Sequence, residues 1–140
     1  MKNIFFVAFF ICNIFTTTNA QTKVPKVVTE AFSKKFPTAT NVKWEKENTT
    51  EFEANFTENK TQKAVNYSDK GVWLETETTI AFEQLPAKVQ KTFNTENKDS
   101  KVKAVAIIET SKGETYYEIE VKKLLKTVEF FYNAEGKLID

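Results

Sequence analysis

Three glutamate pairs, Glu51/Glu53, Glu75/Glu77 and Glu118/Glu120, are each spaced by two residues within segments of alternating polarity. On an extended strand that spacing puts both carboxylates of a pair on one face. Two acids held together can divide into a proton donor and a proton acceptor when burial separates their pKa values. Each pair, however, is interleaved with Thr or Lys on the face that alternation makes polar, and such faces are normally solvated. The expectation is a charged, water-facing surface.

The rest of the chemical inventory is short. The chain has no His, and all twenty basic residues are Lys. A His general base, a His-containing serine triad and His-ligated zinc are thereby excluded. Without Arg there is no bidentate clamp for phosphate or guanine. A net charge of +1 with no basic block argues against nucleic acid as a partner. Asp69 and Asp99 stand alone, whereas a calcium site needs six or more oxygens from a short loop or converging chains. No catalytic residue, metal or cofactor is expected, and the chain reads as a non-enzyme.

The first residues, "MKNIFFVAFFICNIFTTTNA", place Lys2 before an apolar run from Ile4 to Phe15 and end on small residues. This predicts a signal peptide over 1–20, cleaved after Ala20, and a periplasmic or secreted location. The run is too short to span a bilayer, and no membrane span is expected after cleavage. Cys12, the single cysteine, lacks the neighbours of a lipid-attachment site and leaves with the leader, so the mature chain must be stabilised by packing alone. Removing the leader takes away Lys2 and no acid, which leaves the mature chain close to neutral.

The remaining 21–140 divides into two halves, about 24–82 and 84–140. In "VPKVVTEAFSKKFP" the apolar residues Val24, Val27, Val28, Ala31, Phe32 and Phe36 share a helical face, predicting a helix over 25–35 with Pro25 as its first residue. "LPAKVQKTFNTENK" repeats the step with Leu85, Val89 and Phe93. After each helix the period changes to two. Strands are predicted in "NVKWEKE", "TEFEANFTE", "TQKAVNYS" and "GVWLETETTIAF", then in "KVKAVAIIE", "ETYYEIEVKK", "LKTVEFFYN" and "GKLI". Tyr67 and Gly71 correspond to Tyr132 and Gly136 at the last turn of each half, where a Gly supplies positive φ.

This layout, an apolar-Pro helix, alternating strands and a Tyr-x-x-x-Gly hairpin given twice behind a leader, resembles the PepSY-like periplasmic proteins, also called beta-lactamase-inhibitor-like. The resemblance covers essentially the whole mature chain. It implies an α+β fold, a tandem repeat of one helix packed on a four-stranded antiparallel sheet, in an exported bacterial protein with no agreed catalytic residues. The short closing strand "GKLID" of the second half departs from strict two-fold symmetry.

A helix covers one face of its sheet, which leaves the other for water or a partner. Alternation turns Phe52, Ala54, Phe56, Val65, Tyr67, Tyr117, Ile119, Val121, Val128, Phe130 and Tyr132 towards the helices. In the fourth strand it turns Val72, Leu74 and Thr76 inward and Trp73, Glu75 and Glu77 outward, although a bulge would reverse Trp73. Trp73, Glu75, Glu77, Tyr116 and Phe131 are therefore the candidate partner-binding residues, aromatics set among carboxylates. The expected function is to hold a protein or peptide partner on this face, as an enzyme inhibitor in the form the resemblance implies. The alternative is an envelope protein that binds a small ligand or cation.

Overall fold

The computed structural model describes residues 23–123 and 126–139, so the predicted leader and its cleavage point lie outside the described residues. Pro25 and Pro86 each cap a ten-residue helix, α1 (Lys26–Lys35) and α2 (Ala87–Glu96). A proline at this boundary leaves no N–H unsatisfied, and its fixed φ leads into the first turn. Both helices end alike, with the Phe36 N–H donating to Phe32 O and the Asn97 N–H to Phe93 O, each 2.8 Å.

The strands are β1 (Thr40–Lys46), β2 (Glu51–Glu58), β3 (Thr61–Ser68), β4 (Trp73–Thr79), β5 (Lys101–Thr110), β6 (Thr115–Lys123), β7 (Lys126–Tyr132) and β8 (Leu138–Ile139). Each lies within or one residue beyond the segment predicted for it. They form one eight-stranded antiparallel sheet in simple sequence order. The two four-stranded sheets expected from the sequence are thus continuous. β4 pairs with β5 from Glu75↔Thr110 to Thr79↔Ala106. That ladder satisfies backbone groups that two separate sheets would each expose along an edge.

Both helices lie on the same face. Val28, Phe32 and Phe36 pack with Phe52, Ala54, Phe56, Val65 and Tyr67. Val89 and Phe93 pack with Val105, Ile119, Val121 and Tyr132. Register carries one face across the seam, because Val65 opposes Thr76, Thr78 opposes Ile107 and Ile107 opposes Tyr117. Aromatic edges fill the first cluster, with Phe32 T-shaped against Phe56 at 5.1 Å and against Trp44 at 5.3 Å.

The two hairpin glycines have a second duty. Gly71 and Gly136 adopt φ of +76° and +78°, and each lies against the first turn of a helix. A Cβ on Gly71 would meet Val27 O at 2.8 Å, and one on Gly136 would meet Lys88 O at 2.7 Å. Each hairpin therefore touches its helix backbone to backbone, at a distance only glycine permits.

Candidate functional site

The opposite face of the sheet has no helix of the described residues packed on it. Directly opposed residues form rows across it: Glu53–Asn66–Glu75–Thr110, then Asn55–Ala64–Glu77–Ile108–Tyr116, then Ala106–Glu118–Phe131, then Ala104–Glu120–Glu129. All three sequence-predicted carboxylate pairs are therefore on this face, on the side alternation gave them. Their exposure is another matter.

Glu77, Glu118 and Glu120 are buried, at 8%, 5% and 2% exposure. This corrects the expectation of a solvated face for these three. Glu77 of β4 and Glu118 and Glu120 of β6 border a hollow of about 70 Å³ left by the small side chains of Ala64, Ala104 and Ala106. Charge on Glu118 of β6 and Glu129 of β7 acts on Glu77 across it.

Burial dominates the electrostatics of the hollow. It pushes Glu77 up to about 9, with Glu118 adding to the effect, and Glu118 up to about 8, with Glu129 adding. Burial lifts Glu53 to about 7 against the opposing hydrogen bond from Asn55. Glu75 is raised by burial while Asn66 Nδ2, donating to it at 3.1 Å, opposes the shift. At neutral pH Glu77 and Glu118 carry their protons. Glu120 is ion-paired, with the Lys103 ammonium 3.0 Å from each of its oxygens. A bulge between Val102 and Ala104 turns Lys103 onto this face. Buried Glu118 Oε1 and Asn66 Oδ1 have no hydrogen-bond partner among the described residues.

Of the sequence-predicted site residues, the face brings together Glu75, Glu77, Tyr116 and Phe131. Glu77 and Tyr116 are buried there, and Phe131 is half-buried opposite Glu118. Trp73 is not among them. The β3–β4 register pairs Asn66 with Glu75 but Tyr67 with Trp73, which leaves Leu74 as the extra residue of a bulge. The bulge turns Trp73 to the helix side, where it packs on the first cluster and its Nε1 donates to Thr76 Oγ1 at 2.9 Å. Lys35 Nζ sits 4.0 Å from the Trp73 ring centre, beside a groove of about 450 Å³ between the end of α1 and the β5–β6 turn. Val72, expected inward, is 56% exposed in the turn. Sequence reasoning missed the hollow itself. Its available signal was Ala104 and Ala106 at alternate positions of the helix-free face, small where neighbouring strands carry long acids.

Among the described residues no group of three or more His, Cys, Asp or Glu is arranged to hold a metal ion. Nor is any helix of the described residues long and apolar enough to cross a membrane.

An open α+β sheet with two helices on one face and an acidic hollow on the other is the class of molecule that the fold defines. The sequence model of the family described as "Putative beta-lactamase-inhibitor-like, PepSY-like" matches residues 16–61 and again 50–140, and the chain belongs to that family. Solved structures agree in fold. One, described as a putative periplasmic protein from Bacteroides eggerthii, is 21% identical with a TM-score of 0.75, covering 84% of this chain and 86% of that one. A protein of a domain family of unknown function from Bacteroides ovatus is 26% identical with a TM-score of 0.71, covering 83% and 84%. A BLIP-like protein from Bacteroides fragilis is 26% identical with a TM-score of 0.67, covering 83% and 84%. A search of curated protein sequences finds no match.

Proposed function

We propose that this protein is an exported, non-enzymatic binding module that holds a protein or peptide partner on the helix-free face of its sheet. Each helix with its four strands is taken as one repeat, about 24–82 and 84–140, and the two join edge to edge so that their uncovered faces make one surface. The observation that carries the reading is the asymmetry of the sheet. Both helices cover one side, while the other carries Glu75, Tyr116 and Phe131 and a hollow bordered by Glu77, Glu118 and Glu120. Aromatics set among acids suit a partner segment with basic residues, by charge complementarity. Export rests on the leader over 1–20. Inhibition of a secreted or envelope enzyme is the form that the family description and the BLIP-like relative support. A non-catalytic use follows from an inventory without His, Arg or a mature Cys.

The test compares wild type with a Glu75→Lys/Phe131→Ala variant, both immobilised and exposed to envelope extract. Wild type is expected to retain a partner that high salt releases, and the variant, folded to the same extent by circular dichroism, to lose it. Equal retention by both proteins, or retention by neither, would sink the reading. A second reading, a small cationic ligand in place of a protein, is favoured by the hollow alone. It predicts that a thermal-shift screen of small amines finds a stabiliser in the absence of any partner.

A further inference from the structure

We propose that the hollow is a receptor for one lysine side chain of the partner, whose ammonium is taken by Glu118 beside the Lys103–Glu120 pair and whose methylenes lie on Ala64, Ala104 and Ala106. The inference rests on the protein-partner reading and names the group recognised.

Geometry supplies the argument. Glu118 is 5% exposed, borders the hollow, and has a buried oxygen with no hydrogen-bond partner among the described residues. A buried polar atom left in that state destabilises the fold unless a ligand uses it. One strand position pair further along β6, the fold itself shows what a satisfied acid looks like here, with Lys103 Nζ 3.0 Å from both oxygens of Glu120. Space for one water centre is about 10–15 Å³, so a hollow of about 70 Å³ admits an ammonium and its last methylenes. The alanines offer those methylenes an apolar wall. A compact ammonium with three donors fits a single free acceptor oxygen better than a planar guanidinium fork, which needs two in a plane.

The charged groups around Glu118 set the consequence. Facing it are Glu75 and Glu77 from β4, Lys103 from β5, Glu120 from its own strand and Glu129 from β7, while Glu53 from β2 acts on Glu77. Lys63 of β3 also borders the hollow, but its ammonium is held 2.9 Å from Glu58. Because Glu118 is protonated until about pH 8, an entering ammonium displaces its proton to solvent, one proton released for each lysine bound. Lysine itself stays charged over this range. Binding therefore tightens as pH rises and levels off above the acid's own titration.

The experiment follows backbone amide shifts of Ala104, Ala106 and Glu118 by NMR during titration with Nα-acetyl-lysine amide, its norleucine and arginine counterparts, and butylammonium. Saturable shifts are expected with the lysine compound only weakly shared by arginine and absent for norleucine, with affinity about tenfold higher at pH 7 than at pH 6. Glu118→Gln, a near-isosteric stand-in for the protonated acid, is expected to melt no lower than wild type and to lose both binding and its pH dependence. Ala106→Leu fills the hollow without touching a charge and should also lose binding. Shifts with norleucine equal to those with lysine, undiminished lysine binding by Glu118→Gln, or no saturable shift at all would overturn the proposal. Butylammonium binding more tightly than the lysine compound would overturn the protein source of the amine. A partner retained equally by wild type and Glu118→Gln would overturn the lysine receptor while leaving the partner-binding reading standing. Lysine binding with no partner retained would do the reverse.

Discussion

Buried glutamates make the stability of this fold depend on pH with an unusual sign. Glu77 and Glu118 titrate near 9 and 8 when folded and near the ordinary carboxylate value when unfolded. Their folded pKa values are raised, so the stability they permit is complete below the ordinary carboxylate range and is lost as pH rises through about 8–9. Glu58 works the other way at the acid end, because the hydrogen bond from Lys63 holds it below its usual range. The melting temperature is expected to peak in mildly acidic buffer and to fall by about 5–10 °C between pH 5 and pH 9. Glu77→Gln, which cannot ionise, should flatten that fall and melt above wild type at pH 9. A wild-type melting temperature that is level or rising over this range would contradict the account. The side of the sheet on which these acids sit was legible, because period-two alternation fixes it. Their burial was not, since it depends on which side chains of strands far apart in sequence border the same hollow.

At the scale of elements, the hairpin glycines separate two effects that sequence merges into one. All three glycines have positive φ, and any side chain there is strained by about 1 kcal/mol or more. Only Gly71 and Gly136 also abut a helix carbonyl, whereas a Cβ on Gly113 would meet nothing within 4 Å. Gly71→Ala and Gly136→Ala are expected to cost about 2–3 kcal/mol each in denaturant unfolding, and Gly113→Ala about 1 kcal/mol. Equal losses at all three would show that the helix contact carries no weight. The turn itself was readable from Tyr-x-x-x-Gly given twice, but the approach of Val27 and Lys88 to the turns was not, because it links residues far apart in sequence. β4 shows the same limit within one strand. Alternation read correctly at Glu75 and Glu77 and failed at Trp73, two residues from the end, because the bulge at Leu74 shifts the phase. Trp73→Ala should accordingly lower stability by about 2–4 kcal/mol, as truncation of a packed aromatic does, and leave partner capture by the helix-free face unchanged. Lost capture with unaltered melting would return Trp73 to the binding surface.

Over the whole molecule, the two halves have separate hydrophobic clusters and a shared sheet, which raises the question of whether they unfold together. The seam is extensive. The β4–β5 ladder is extended by the Ile80 N–H donating to Val105 O at 3.0 Å and the Ser111 N–H donating to Leu74 O at 2.7 Å. On the helix-free face, Glu77 of the first half is buried where it feels Glu118 and Glu129 of the second. Removing one half would expose a sheet edge and leave these acids without their walls, so the fold is expected to melt as one unit. The tryptophans supply a reporter. Both Trp44 and Trp73 pack on the first cluster, so their fluorescence follows that half alone, while far-ultraviolet circular dichroism follows both. Phe93 belongs to the second cluster, at 2% exposure, and Phe93→Ala should cost about 3–5 kcal/mol. If the sheet couples the halves, this substitution lowers the fluorescence midpoint and the dichroism midpoint by the same amount. Independent halves would leave the tryptophan transition at its wild-type position while the dichroism splits in two, because no side chain of the first cluster touches Phe93 and only the seam can transmit the loss.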